Sequence, residues 1–282
     1  MTTKAEVAET RKLNTTRKTI ATENLELATQ SQIMVDANQI QIAVSLVSHG
    51  QRELIIPLLE QLERHCSNLI AQLIITVNIP ERDPTSDNPF KIPTTIIRND
   101  KPKGFGENHN TAFSKCTSQW FLVLNPDIRL DSDIITPLLK TAKERDGLLS
   151  PRIAEGENDQ PEPHRALITP LEILTRRRVN YTAPNEPVWI PGMFMLFRSS
   201  AYKEVNGFDT KYYMYAEDFD ICARLQLRGW RININESLRV MHHAQRASQR
   251  DLRHLTWHLI SLFKLWTSST FWRYWLKAKR PN

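Results

Sequence analysis

Between Gln41 and Asp127 short apolar runs of strand length alternate with segments of helical spacing, with one loop among them. QIAVSLV (41–47) reads as a buried strand, and Leu54 through Leu62 place apolar residues at helical intervals behind it. LIITVN (73–78), TTIIRN (94–99) and WFLVLNPD (120–127) read as three more strands. ERDPTSDNP (81–89) reads as a loop and GFGENHNTAFSKC (104–116) as a helix with its entry turn. Strands alternating with helices need crossover connections, so the predicted class is α/β, a mostly parallel sheet flanked by helices. Ligands collect at the carboxyl ends of such strands, here His49, Asn78, Asn99 and Asn125-Pro126-Asp127.

Beyond Asp127 the pattern loosens. A helix is predicted over 133–144, a short strand near Leu148-Leu149, and a polar, proline-bearing stretch from Glu155 to Asn185. VWIPGMFMLFR (188–198) reads as a strand, AEDFDICARLQLRGW (216–230) as a helix closed by Gly229, and RININESLRVMHH (231–243) as a strand ending in two histidines. Residues 1–38, rich in Thr, Glu, Lys, Gln and Asn, are expected to form a flexible extension.

Charge locates a third segment. The net charge is +6, yet residues 246–282 carry eight Lys/Arg against Asp251 alone, so the preceding chain is near neutral. The same tail holds Trp257, Trp266, Trp272 and Trp275. Three unspaced cysteines form neither a disulfide framework nor a zinc set, which favours a reducing compartment. No apolar stretch approaches the roughly 18–20 residues of a spanning helix, and no signal-peptide core is seen near Met1.

Several groups could carry chemistry. Asp127 could hold a divalent cation whose other positions go to phosphate and water, although Asn-Pro-Asp is also a good turn. Glu217, Asp218 and Asp220 begin a helix, where the dipole favours negative charge and where one carboxylate could serve as a general base. His242 and His243 point to opposite faces of their strand, so one could join Asp127 at a metal or fill a structural role. The Gly104-Phe105-Gly106 turn with Asn110 lets backbone approach a phosphate or sugar. It is neither a Walker loop nor a Rossmann fingerprint.

Taken in order, GFGENHNTAF, LVLNPDIRL, WIPGMFMLFR, NGFDTKYYMYAEDFDICARLQLRGW and a strand ending in histidine resemble the family-2 glycosyltransferases. Within them the match is to the rhamnosyltransferase-like branch of bacterial surface-polysaccharide assembly, over about residues 41–265. The resemblance implies a GT-A fold, with a nucleotide-binding half (39–147) and an acceptor half (148–245) in one catalytic domain (39–245). It implies inverting transfer of a sugar from a nucleotide diphosphate donor to an acceptor hydroxyl, with Mn²⁺ or Mg²⁺. Asp218 is then the base, with Glu217 helping to position the acceptor; Asp127 and His242 are the metal ligands. Ser48, Asn78, Asn99, Gly104, Phe105, Gly106, Asn110 and Asn125 line the nucleotide sugar, and Trp189, Gly192, Phe194 and Arg224 the acceptor. The expected donor is dTDP-rhamnose and the expected acceptor a lipid-linked glycan.

The tail (246–282) interleaves apolar and basic residues as an amphipathic helix on anionic lipid does, with Trp266, Trp272, Trp275 and Lys277 as the expected membrane residues. Packing on the catalytic domain is the competing use of such a face. The implied location is cytoplasmic, peripheral on the inner face of the membrane, with no nucleic-acid partner. Two other classes compete: a sugar-phosphate nucleotidyltransferase, which needs a basic glycine-rich loop where Ser48-His49-Gly50 stands, and a non-enzymatic polyanion- or membrane-binding protein.

Overall fold

The computed structural model describes residues 41–86, 90–155, 160–176, 178, 180–243 and 252–279. The expectations for residues 1–38 and for residues 244–251 lie outside the described residues.

β1 (Ile42–Ser48) is buried nearly throughout and pairs in parallel with β2 (Ile70–Val77) and β4 (Trp120–Leu124). β3 (Thr94–Arg98) extends this parallel block beyond β2. Helices α1 (Arg52–Cys66) and α2 (Phe105–Phe113) lie in the crossovers that parallel pairing requires. Inside this block His109 of α2 is buried with Nδ1 2.8 Å from Ser45 Oγ of β1, and burial pushes its pKa down to about 3.

The sheet turns mixed after β4. β8 (Phe194–Arg198) runs antiparallel to β4 and to β6 (Asp146–Glu155). β9 (Arg231–His242) is parallel to β6 and antiparallel to the two-residue β5 (Ile128–Arg129), and β7 (Gln160–Pro161) pairs with β6. The order is β3-β2-β1-β4-β8-β6-β9-β5. The strand expected over 188–198 starts only at Phe194. Pro191 has no N–H to give a ladder, and only the Trp189–Arg165 bridge precedes β8.

Shorter helices complete the body. α3 (Ile135–Lys140) is briefer than its predicted span. α4 (Pro170–Thr175) breaks the polar stretch, capped by Thr169, whose hydroxyl accepts from the Glu172 N–H at 3.1 Å. α5 (Ser199–Glu204) follows β8 directly, and α6 (Glu217–Leu227) ends before Gly229, which takes φ +85°. α7 (Leu252–Trp266) and α8 (Ser269–Ala278) form the tail, α8 capped by Ser268. Phe121, Phe197, Tyr202 and Phe208 pack at centroid distances of 5.0–5.9 Å, joining the sheet to the turn that precedes α6.

Candidate active site

At the carboxyl end of the parallel block, buried Ser48 accepts from the Gln51 N–H through its hydroxyl and from the Asn78 N–H through its carbonyl. Asn78 is buried and its amide is fully occupied. Its Nδ2 lies 3.0 Å from His49 Nδ1 and donates to the Lys103 carbonyl at 3.0 Å. Its Oδ1 accepts from Asn99 Nδ2 and from the Lys103 N–H, both at 2.8 Å. A primary amide has two N–H donors and two lone pairs, so Asn78 has no edge left for a base. It fastens the 99–103 loop to β2. Asn99 Nδ2 also donates to Asn108 Oδ1 at 2.7 Å. Asn108 is a buried polar residue on α2 that was not among the expected site residues; it stands two positions from Asn110, a spacing that puts the two on opposite sides of the helix.

The glycine turn works differently from its expected role. A Cβ on Gly104 would lie 2.6 Å from the Tyr213 carbonyl oxygen, and one on Gly106 2.5 Å from Phe208 Cβ. The close approach these glycines permit is to the 208–213 segment of the same chain, and the Phe105 N–H donates to the Tyr213 carbonyl at 2.9 Å. Asn110 is likewise turned inward. Its Oδ1 accepts from Tyr202 Oη at 2.7 Å and the Phe208 N–H at 2.9 Å, and its Nδ2 donates to the Phe208 carbonyl at 2.8 Å. Gly106 and Asn110 therefore leave the ligand-facing set.

β5–β9 pairing sets Ile128 opposite His242 and so brings Asp127 to that histidine. His242 Nε2 lies 3.1 Å from Asp127 Oδ2, and its Nδ1 lies 2.6 Å from Glu155 Oε1. Burial opposes charge on the imidazole, but the hydrogen bonds and charges of Asp127 and Glu155 outweigh it and raise its pKa. Glu155 was not anticipated; it orients the ring from behind, as a partner to a metal-binding histidine does. Asp127 Oδ1 is buried with no hydrogen-bond partner among the described residues. That orphaned oxygen, beside an imidazole, fits one hard cation. Among the described residues no three His, Cys, Asp or Glu side chains form a closed cage, so a cation there would depend on oxygens of a ligand.

The acidic helix start is reached through two left-handed residues, Tyr215 (φ +72°) and Ala216 (φ +67°). Such a conformation costs a non-glycine residue of order 1–3 kcal/mol and persists only where the surroundings enforce it. Here α7 enforces it. Lys264 Nζ donates to the Lys211 carbonyl, Ser261 Oγ donates to the Met214 carbonyl at 2.7 Å, and Tyr215 Oη lies 2.8 Å from His254 Nδ1. Trp257 and His258 stack against Tyr213 and Tyr215, with centroids 5.0 and 5.1 Å apart.

The three carboxylates then diverge. Asp220 is fully buried and pairs with Arg224 at 2.7 Å. Glu217 is buried, and burial followed by the charge of Asp218 holds its carboxyl well above the ordinary range. Asp218 is the partly open one. Burial pushes it up to about 6, against hydrogen bonds from the Phe219 and Gly192 N–H groups.

Gly192 joins the corners. Its N–H serves Asp218, and the next carbonyl, Met193, accepts from the Asn125 N–H at 2.9 Å, two residues before Asp127. A Cβ on Gly192 would lie 3.0 Å from the Phe105 ring. Asp218, Asn125 and Phe105 thus meet around two consecutive residues.

Asp218 opens into a cavity of about 80 Å³ that it shares with Trp189, Tyr215, Ile168, Ile173, Arg176, His258 and Leu262. Trp189 is fixed there by its Nε1 donation to the Ala166 carbonyl at 2.8 Å. Two expected acceptor residues are elsewhere. Phe194 is fully buried in β8, where its residue faces the core. Arg224 spends its guanidinium on Asp220 and on the carbonyls of Val205 and Gly207.

The family model for glycosyl transferase family 2 matches residues 58–204, which hold the glycine turn, Asp127 and Gly192. The chain belongs to this family. The transferase is 29% identical over 183 residues to rhamnosyltransferase WbbL of Escherichia coli K12, across 57% of this chain and 69% of that protein. It is 32% identical over 190 residues to N-acetylglucosaminyl-diphospho-decaprenol L-rhamnosyltransferase of Mycobacterium tuberculosis H37Rv, across 60% of this chain but 62% of that protein. Its fold is that of the mannosyltransferase PcManGT from Pyrobaculum calidifontis, solved with GDP-Man and Mn²⁺: TM-score 0.58 at 16% identity, across 79% of this chain and 64% of that one. The GT-A-like α/β architecture is thereby established, as the sequence implied.

The transferase's tail corrects the membrane assignment in part. Trp266 Nε1 donates to the Ile168 carbonyl at 2.9 Å, and Lys277 Nζ donates to the Gln226 carbonyl of α6. Phe271 and Tyr274 bury α8 against α6, Phe271 lying 6.0 Å from the Phe219 ring. Trp275 is half-buried, with Lys279 Nζ 3.8 Å from its ring centroid. Trp272 stays half exposed. An amphipathic helix must bury one face, and α8 buries it on protein. No helix among the described residues is long and apolar enough to cross a membrane.

Proposed function

We propose that the chain transfers a sugar, L-rhamnose from dTDP-rhamnose being the first candidate, from a nucleotide diphosphate to a hydroxyl of a lipid-linked glycan, with inversion. The observation that carries this reading is the junction at Gly192-Met193, which ties the open carboxylate Asp218 to the strand end bearing Asp127. Donor and acceptor chemistry need these groups side by side. The rhamnosyltransferase relatives favour the donor and the class of acceptor. The proposed location is the inner membrane face, where such an acceptor is presented.

In this mechanism Asp127 and His242 would hold a divalent cation, Mn²⁺ or Mg²⁺, with Asn125 beside them. The chemistry such a cation would supply when bound is neutralisation of the diphosphate charge. Phe105 and Gly192 shape the sugar subsite, and Trp189 walls the acceptor cavity. Asp218 accepts the proton of the acceptor hydroxyl as that oxygen attacks the anomeric carbon from the face opposite the diphosphate. A single displacement needs no protein nucleophile. Burial and the charge of Asp218 hold the Glu217 carboxyl well above the ordinary range, which leaves Asp218 as the carboxylate of the adjacent pair assigned to the acceptor's proton.

Two outcomes follow. Asp127→Ala should weaken nucleotide-sugar binding at least tenfold in Mn²⁺ and leave binding in chelator unchanged; thermal-shift titration of a donor panel in each condition measures both. Equal loss in both conditions assigns Asp127 to the fold instead. Asp218 must be ionised to accept a proton, so kcat/KM should fall tenfold per pH unit below about pH 6 and level off above it. A profile flat from pH 5 to 8 removes Asp218 from the base role.

A further inference from the structure

Asp218 has to carry charge in a place that opposes it. Burial pushes its carboxyl up, and the N–H groups of Phe219 and Gly192 and the charge of Arg165 work against that push. The other titratable groups around it are Glu217 and Cys222 on its own helix, Tyr215 just before that helix, Arg176 after α4 and His258 of α7. Arg165 is fixed to the wall of the same cavity. The Val188 N–H donates to the Arg165 carbonyl at 2.9 Å, Trp189 Nε1 donates to the Ala166 carbonyl, and Arg165 and Trp189 pair as an antiparallel bridge. That pairing sets Arg165 beside the segment that runs on to Gly192, whose N–H serves Asp218. Its guanidinium carbon lies 5.9 Å from the centroid of the Trp189 ring, the indole that lines the Asp218 cavity. Glu162 braces the guanidinium through an ion pair. Glu162 is in turn fixed by its N–H on the Ile153 carbonyl at 2.8 Å and by Arg152 Nη2 on its own carbonyl at 2.6 Å. Arg165 Nε is buried with no hydrogen-bond partner among the described residues, so Glu162 does not use the whole fork.

Resting on the transferase reading above, we propose that Arg165 is a positioning residue for the base: braced by Glu162 and laid over Trp189, its guanidinium is the fixed cation that favours the carboxylate form of Asp218. Arg165 acts through Asp218 and not on the substrates. The backbone bridge holds one end of the arginine and the ion pair the other, so its charge has one place. An indole rather than water lies under the guanidinium, and attraction between charges is stronger where water is excluded.

The test is a double-mutant cycle on the full chain, read by melting curves with no substrate present. Asp218→Asn is made in the parent and in Arg165→Gln, and each protein is melted at pH 8 and at pH 4.5. At pH 8 the ionised Asp218 weighs on the fold, and without Arg165 it should weigh more. Asp218→Asn should therefore raise the melting temperature about 2–4 °C further in the Arg165→Gln background than in the parent. The difference should vanish at pH 4.5, where Asp218 is protonated in the folded protein. Arg165→Met keeps an apolar stem on Trp189 and carries the same expectation, whereas Arg165→Lys keeps the charge and should remove most of the difference. Equal gains in both backgrounds at pH 8, or a difference that persists at pH 4.5, overturns the proposal. In transfer assays the acid limb of kcat/KM should move up by about half to one pH unit in Arg165→Gln, less than for a fully buried pair because the Arg165 side chain is 32% exposed. Absence of transfer with any nucleotide sugar counts against the transferase reading and leaves the melting cycle standing. Transfer with an unmoved limb and no coupling in the cycle removes the role of Arg165 alone.

Discussion

Asp218→Asn is expected to reduce sugar transfer by about 10²–10⁴-fold, the contribution of a positioned general base, while donor affinity changes by less than about threefold. The amide keeps the shape and still accepts from the Gly192 and Phe219 N–H groups, but it cannot take a proton. Stability supplies a built-in control. A carboxyl whose pKa is raised by folding favours the folded state most below its unfolded value near 3.8, and that advantage is lost as pH rises through about 6. At pH 7–8 the charge is therefore a burden on the fold, and the neutral variant should melt no lower than the parent. Single-turnover transfer, with melting curves at pH 7.5, separates the outcomes. A variant that transfers at the parental rate ends the assignment, and one that loses rate and folding together shows a structural carboxylate.

The second large effect falls on a residue that the sequence placed at the nucleotide. Asn110→Ala should lower stability by about 2–5 kcal/mol, because it strands Tyr202 Oη and both backbone groups of Phe208 inside the protein. For a domain of this size that is a fall in melting temperature of roughly 5–15 °C. Gly207, at φ +64°, would place a Cβ against Asn110 Oδ1, so Gly207→Ala should destabilise through the same contact. Nucleotide-sugar affinity, measured well below the melting point, should stay within a few-fold of the parent. A tenfold loss of affinity with unchanged melting would return Asn110 to the nucleotide side.

The parallel block was readable because burial on both faces leaves almost no polar choice: Ile42 to Ser48 could only be a central strand. The acidic helix start stood out because three acids in four positions demand an account. What stayed hidden was direction. A glycine permits close approach without naming the neighbour, so Gly104 and Gly106 look alike whether they meet a phosphate or, as here, Tyr213 and Phe208. Arg224 is a cation on the acidic helix, but its pairing with Asp220 one turn earlier is a local i,i+4 contact that turns it away from the cavity. Phe194 and Trp189 sit in one apolar run, and only the break at Pro191 puts one in the sheet and the other at the cavity. Glu155 was invisible in sequence, because its value comes from the β6–β9 register that sets it opposite His242.

The 211–215 segment has a further consequence. Its Tyr213 carbonyl receives the Phe105 N–H and crowds Gly104 from one side, while α7 grips the same five residues from the other. One short stretch of backbone is thus a shared wall between the glycine turn and α7, which the proposed function sets beside the donor and the acceptor respectively. Free energy stored in moving that wall enters both binding equilibria with the same magnitude, since coupling between two ligands is reciprocal. On the proposed site assignment, a substrate that shifts this stretch changes the dissociation constant of the other by the same factor it receives in return, whichever binds first.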